Sequence, residues 1–396
     1  MALSTVQVLE EALKTIYLDP LVKTLDEESG PVLAAIEKNS DNVVGNEIRF
    51  ALQYGRNGGI GARAEDGALP TAAPRQYKQA VTGTKNLYGT ISFSEKLMLI
   101  SQNSQASFID AVTTMMDDIT NDARDMMRRN IMQKSNGIMA TVAAAATTSK
   151  TVEVKGNIKM FYVGQIIDIF TVSSSTVTKN VDGLPIVDVD YDNGTISFAT
   201  NVTVGEGDYI GLAGNYANEL TGLGDIMTPD TVLYGIDRSV NKWYNPRVYD
   251  KSKDGTMAAF SSQYFQEAID DIYDFTGFNP NFICCNSAMR RAYINEQNTY
   301  KRNIEFMNVD GGYELASYNK VPISVEKYAN DNEIILINTD DFVLSQVADW
   351  GWMDADGSIL SRVSGKAAYE AVLTKYCDLI CKKPFAQAKI TGVATK

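Results

Sequence analysis

Histidine is missing from all 396 residues. That removes Ser-His-Asp and Cys-His nucleophile systems, His metal sites and the usual proton shuttle near neutral pH. Any chemistry would have to run on carboxylates, Lys, Tyr or thiols. Cysteine is nearly as scarce, and four residues are too few for a disulfide scaffold at this length. Cys284 and Cys285 adjoin inside the apolar run Phe282-Ile-Cys-Cys. Cys377 and Cys381 would lie roughly 13 Å apart on a strand, beyond a disulfide or a shared metal. All four read as buried structural thiols. Positive charge is in deficit as well: 36 Lys and Arg against 49 Asp and Glu leave −13, which argues against a surface built to neutralise phosphates. No run approaches about 18 uninterrupted apolar residues, and Met1-Ala-Leu-Ser-Thr lacks the basic region of a signal peptide, so the chain is expected to be soluble and made in a cytoplasm.

What the chain does carry is a polar stretch rich in Gly and Ala, set between two alternating segments. Glu47-Ile-Arg-Phe-Ala-Leu-Gln-Tyr54 and the stretch 77–93 read as half-buried strands. Gly55-Arg-Asn-Gly-Gly-Ile-Gly-Ala-Arg-Ala-Glu-Asp-Gly67 joins them without apolar periodicity. A loop of about 20 residues is uncommon in a compact domain. Such an arm projects from a core and must find its partners elsewhere, which points to assembly rather than chemistry.

The length allows a full core and predicts two or three domains, because single cores stop growing near about 250 residues. The first 45 residues hold two short helical patterns, 6–17 and 31–38, broken by Pro20 and a Glu-Glu-Ser-Gly turn, and read as an arm lying over another surface. From Ser107 a long amphipathic helix is expected. Phe108, Val112, Met115, Ile119, Ala123 and Met126 form its stripe, with Ile109, Met116 and Met127 beside it. Ser107 with Asp110 suits a capping box, acidic residues precede basic ones as the dipole favours, and Asn136-Gly137 supplies a stop. From about 148 to 214 the composition turns to Val, Ile, Thr, Asp and Gly. Short strands recur there, with Asp182-Gly183 and Asn193-Gly194 as turns, and this all-β module reads as inserted. Beyond it the pattern mixes: helix 262–275 closed by Gly277, buried strand 281–285, helix 287–298 capped by Asn286, and strands 321–325, 333–337 and 342–344. Segments 367–380 and 386–391 close the chain as strands, although the first ten residues of the former would also suit a helix.

Candidate chemical sites are weak. Asp188-Val-Asp-Tyr-Asp-Asn-Gly194 resembles the opening of a calcium loop, but its Gly falls one position late and Ala199 stands where a bidentate Glu belongs. Asp354-Ala-Asp-Gly357 reads as a hairpin tip. The glycines at 55, 58, 59, 61 and 67 have neither Gly-Lys-Ser/Thr nor a following helix to make a phosphate cradle. Pairs such as Asp270-Asp271 and Asp340-Asp341 could serve a His-free glycosidase, yet nothing selects one pair from 49 acidic residues. No catalytic residue, cofactor or metal site is expected.

The order of elements resembles the major capsid protein of tailed bacteriophages, the Hong Kong 97-type coat fold, over nearly the whole chain. The stretches that carry the resemblance are Ala62-Arg-Ala-Glu-Asp-Gly-Ala-Leu-Pro70 leading to Tyr88-Gly-Thr-Ile-Ser-Phe-Ser-Glu-Lys96, the 108–132 helix, Val163-Gly-Gln-Ile-Ile167, Glu219-Leu-Thr-Gly-Leu-Gly224 and Asn279-Pro-Asn-Phe-Ile283. Lys320-Val-Pro-Ile-Ser324, Ile335-Leu-Ile-Asn-Thr-Asp-Asp-Phe342 and Lys383-Pro-Phe-Ala-Gln-Ala388 complete it. The resemblance implies an α+β fold with an N-terminal arm (1–46), an E-loop (47–93), a peripheral domain with a spine helix (94–147) and an inserted β domain (148–214). An axial domain (215–338) and a C-terminal return to the peripheral domain (339–396) follow.

It further implies pentamers and hexamers of identical copies closing into an icosahedral virion capsid, assembled in a bacterial host's cytoplasm around double-stranded DNA that it contacts weakly and without sequence preference. The E-loop residues expected to meet a neighbouring subunit are Arg56, Arg63, Glu65, Asp66, Arg75 and Lys78. A separate scaffolding protein, a portal and a decoration protein are the further partners, and no membrane is involved. Lys78 and Lys85 lie in or near the loop, where some relatives cross-link, but no acidic catalyst or Asn partner is identifiable. The competing readings are an encapsulin-type compartment, which generally lacks so large an inserted β domain, and a carboxylate hydrolase or adhesin.

Overall fold

The computed structural model describes residues 30–40, 42–95, 105–173, 176–299, 305–309, 313–354, 357 and 359–394. Among these the chain is mixed α+β, as expected, and builds two large sheets, a closed barrel and a projecting hairpin. The helical pattern expected at 6–17 lies outside the described residues.

The first sheet is held together by Ala368–Cys381, a strand long enough to pair with Phe342–Trp352 on one side and with Lys85–Ser94 on the other. Its alternation of buried and half-buried positions decides the helix-or-strand ambiguity of 367–376 in favour of strand. Glu37–Asn39 joins the edge of Phe342–Trp352 in parallel, so the helical pattern expected over 31–38 stops early. Only Pro31–Ala34 is helical, and Val32, Leu33 and Ile36 are buried in the chain's own core rather than laid over another surface.

The long helix, Gln105–Met132, already includes Gln105, so Ser107 sits inside it and the capping box expected there does not start it. Its inward face is also rotated by about one residue. Met116, Thr120, Ala123, Met127 and Ile131 are buried, whereas Ile119 and Met126 lie half-buried on the flank. The reason is tertiary: Ile119 reaches sideways over Gly89, where an added Cβ would come within 3.1 Å of its Cδ1. The side chains of Phe108, Val112 and Met115 lie outside the described residues.

At the helix's far end, Gly222 packs so close that a Cβ there would lie 2.0 Å from the Gln133 carbonyl oxygen and 2.3 Å from that of Asn130. Backbone atoms cannot rotate away as a side chain can. Gly222→Ala is therefore expected to cost at least about 1–3 kcal/mol, the range for overpacking a tight site. A thermal melt unchanged by this substitution would show that the two segments are not pressed together.

The barrel closes through six strands: Ala140–Val142, Ala146–Lys155, Ile166–Ser173, Thr176–Asp190, Thr195–Val204 and Tyr209–Leu212. Its strands begin at Ala140, ahead of the expected 148, and Val152, Ile167, Ile169, Ile196 and Ile210 fill its interior. Asn193-Gly194 is a turn, with Gly194 at φ 67°. Asp182-Gly183 is not. It lies within the strand Thr176–Asp190 at a shift of register, where Asp168 accepts the Gly183 N–H at 2.8 Å and pairs with Lys179 at 2.9 Å. A bulge thus absorbs the left-handed glycine that the sequence pattern assigns to a turn.

The second sheet has seven strands in the order Arg247–Asp250, Ala388–Thr391, Ile334–Ile337, Phe282–Cys285, Val321–Val325, Tyr313–Tyr318 and Glu305–Val309. Helices Gln263–Thr276 and Ser287–Thr299 cover it with Phe265, Ile269, Ile272, Met289 and Tyr293. Gly277 ends the first helix at φ 73°, and the Asn286 side chain caps the second by accepting the Met289 N–H at 2.8 Å. The last strand corrects the expected C-terminal return: Ala388–Thr391 pairs with Ile334–Ile337 and Arg247–Asp250 in this sheet, not in the first. Among the described residues, no helix is long and apolar enough to cross a membrane.

Candidate assembly surface

The hairpin that carries the arm pairs Glu47–Tyr54 with Gln76–Gly83 in unbroken register, from Glu47 opposite Gly83 to Tyr54 opposite Gln76. The long strand expected over 77–93 is in fact two. At Thr84 the chain changes partner, leaving the hairpin and entering the first sheet as Lys85–Ser94. The hairpin is fastened along its length to residues 234–244: Tyr54 stacks on Trp243 at 4.5 Å, Phe50 meets Tyr234 edge-on at 5.6 Å, and Val81 N–H donates to the Tyr234 carbonyl at 3.0 Å. Nothing in the local pattern of 47–83 signals these anchors.

A buried carboxylate holds the point where the chain switches partner. Asp378 accepts the Thr82 hydroxyl at 2.8 Å, the Thr221 N–H at 2.9 Å, the Thr221 hydroxyl at 3.2 Å and the Leu379 N–H at 3.0 Å. One side chain thereby ties the hairpin, the segment after the barrel and the C-terminal strand. Burial pushes its carboxyl up to about 6, against the hydrogen bonds from Thr221 and Thr82 and the charge of Lys85. The unfolded group titrates near about 3.9, so the folded chain binds this proton more readily. Its contribution therefore favours folding as pH falls through 6 and is lost as pH rises to 7. Fully developed below the unfolded value the difference is about 2–3 kcal/mol, of which about half appears between pH 7 and pH 5. Relative to Asp378→Asn, the wild-type chain should gain thermal stability between pH 7 and pH 5. Parallel melting profiles for the two would contradict the assignment.

Beyond the hairpin, residues 55–75 run almost wholly exposed. Gly55 turns the chain at φ 76°, the Asn57 side chain accepts the Gly59 N–H at 2.8 Å, and Gly67 N–H closes a turn on the Ala64 carbonyl at 2.9 Å. Ile60 and Leu69 stand 86% and 87% exposed, an apolar surface that nothing among the described residues covers. Among the described residues, no ion pair holds Arg56, Arg63, Glu65, Asp66 or Arg75. Lys78 Nζ donates to Asn241 Oδ1 of the same chain at 2.9 Å.

The other sequence candidates resolve into structure. Asp190 accepts the N–H groups of Asp192 and Asn193 at 3.0 Å and organises the hairpin turn. Asp271 takes the Tyr249 hydroxyl and Asp341 pairs with Lys383 at 2.8 Å, whereas Asp270 and Asp340, one from each acidic pair, both line an open pocket of about 890 Å³. All four cysteines are buried and free, and burial pushes the thiols of Cys285 and Cys377 up to about 12, far from a reactive thiolate.

No protein-family model matches the sequence, and no curated protein matches it either. Solved structures do. A chain of the cyanophage A-1(L) capsid asymmetric unit is similar at 10% identity with a TM-score of 0.56, the match covering 93% of each chain. A chain from the capsid of an empty GTA particle matches at 11% identity and a TM-score of 0.48, covering 93% of this chain and 91% of the other. The SrpI encapsulin from Synechococcus elongatus matches at 8% identity and a TM-score of 0.44, with 92% and 88% covered. At such identities the likeness is one of fold, and it spans nearly the whole chain: the fold is that of a phage capsid shell protein.

Proposed function

We propose that this chain is the major capsid protein of a tailed bacteriophage, building pentamers and hexamers that close into an icosahedral head around double-stranded DNA. The observation that carries the reading is the arm: an exposed loop with two bare aliphatic side chains and five charges that no ion pair holds among the described residues, on a fold that a phage capsid chain shares over 93% of each chain. In this reading residues 47–93 are the E-loop, 105–132 the spine helix of the peripheral domain, and the barrel an inserted domain. The seven-stranded sheet with its two helices is the axial domain. The arm then reaches a neighbouring subunit through Arg56, Arg63, Glu65, Asp66 and Arg75, in a heterologous contact that repeats around each ring.

The net charge of −13 fits a wall from which packaged DNA is repelled rather than held. A scaffolding protein, a portal and a decoration protein would be the further partners, and the chain's role is structural rather than enzymatic. Electron microscopy of the purified full-length protein tests the reading. Closed shells of rings, filled with nucleic acid when recovered from an infected host, are the expected result. Shells filled with a protein cargo would favour an encapsulin-type compartment, and a persistent monomer would reject both.

A further inference from the structure

We infer that the open pocket at one end of the seven-stranded sheet is a binding site for a short neutral saccharide, an assignment that stands apart from the shell reading. The pocket holds about 890 Å³, within the roughly 300–1,000 Å³ of sites that take small molecules. It is lined by the helix Gln263–Thr276, by the chain entering strands Phe282–Cys285 and Val321–Val325, and by the chain leaving Ile334–Ile337. Ile269, Phe282 and Val321 give it an apolar floor, each buried in the sheet's own core. Tyr273 stands 54% exposed in its lining.

Hydrogen bonds fix the polar walls in advance. Asn319 Nδ2 donates to Gln266 Oε1 and Gln266 Nε2 to Asp270 Oδ1, both at 2.7 Å. Elsewhere in the lining, Asn281 Nδ2 donates to the Thr339 hydroxyl at 2.8 Å and accepts the Thr339 N–H on Oδ1 at 2.9 Å. Among the described residues no hydrogen bond takes Asp270 Oδ2, Asn319 Oδ1 or the Asp340 carboxylate. Acceptors are thus held in place and left free, so a guest meets them without first ordering them. The turn that brings Asn319 and Lys320 to the pocket is left-handed at both, φ 48° and 67°. Lys320 stands where Gly is the easy choice, and backbone strain of this kind gathers at ligand sites.

The mixture selects among ligands. Asp270 and Asp340 outnumber Lys320 in the lining and repel a phosphate or carboxylate. A wholly apolar guest would dry the free acceptors without pairing them. A pyranose ring meets both surfaces. Its C–H face lies on an aromatic ring such as that of Tyr273, while its hydroxyls donate to the carboxylates and accept from Lys320. Hydroxyls that find no partner stay in water, which an open pocket allows.

Isothermal titration of the full-length chain with maltotriose, cellotriose and mannotriose tests the assignment. At least one should bind with a Kd of about 1 mM or tighter, and saturation-transfer NMR should place its ring C–H protons against the protein. Tyr273→Ala and Asp270→Asn should each weaken that binding about tenfold. Phe275→Ala removes a ring 62% exposed on the same helix but outside the pocket lining, and should leave it unchanged. None of these three side chains is buried, so circular dichroism should show the fold intact in every variant. Absence of binding by all three sugars up to about 10 mM, or an equal loss with Phe275→Ala, overturns the site. Spermidine provides the opposing arm: a triamine held through Asp270 and Asp340 while every sugar fails would make this a cation site and overturn the saccharide. A chain that binds no sugar yet closes shells loses this inference alone.

Discussion

Replacing residues 55–75 by Asn-Gly should leave a soluble, folded chain that builds no closed particle. Tyr54 and Gln76 are directly paired, so the two strands end side by side and a two-residue turn of the type Asn-Gly favours can join them. The anchors of the hairpin survive the change, because Tyr54 on Trp243 and Thr82 on Asp378 lie outside the excised loop. The loop itself shields almost nothing in its own subunit. Shortening the connection from about 20 residues to two lowers the entropic cost of closing the hairpin, so subunit stability should hold or rise slightly. Assembly should respond in the opposite sense, since every copy loses the same contact and the defect repeats around each ring. Circular dichroism and size-exclusion chromatography check the first half, and electron microscopy the second. Genome-stable shells built by the shortened chain would remove the arm from the account of assembly.

Met127→Asp should abolish the soluble subunit before assembly can be asked of it. Met127 is 2% exposed on the inward face of the long helix, with Met116 at 1% on the same stripe. A carboxylate there would sit within the apolar core and costs several kcal/mol, a large part of the roughly 5–15 kcal/mol that holds a domain together. Ile119→Asp, which the sequence pattern singles out as the equivalent lesion, should be milder because Ile119 is half-buried at the flank. Arg63→Ala in the exposed loop should not touch folding at all. Soluble fraction and melting temperature for the three variants rank them directly. A well-folded Met127→Asp chain beside an insoluble Ile119→Asp chain would put the helix back on the face its apolar spacing suggests.

That one-residue rotation separates what is local from what is not. Segments whose periodicity, caps and turns are set by neighbours along the chain were legible in the sequence: the strand Glu47–Tyr54, the exposed loop after it, the helix closed by Gly277, the Asn286 cap and the buried strand Phe282–Cys285. So was the stock of exposed charge on the arm, because a stretch without apolar periodicity cannot enter a core. Only tertiary structure decided which flank of the long helix faces inward, since Met115, Ile119 and Met126 are as apolar as Met116 and Met127 and the choice falls to Gly89 and its surroundings. The same holds for Asp182-Gly183, a turn by local propensity and a bulge once Asp168 accepts the Gly183 N–H. It holds for Lys78, drawn to Asn241 at a separation of 163 residues, and for Asp378, whose partners Thr221 and Thr82 lie 157 and 296 residues away. Pairings at such distances leave no periodic trace, because each partner's local pattern is already complete without the other.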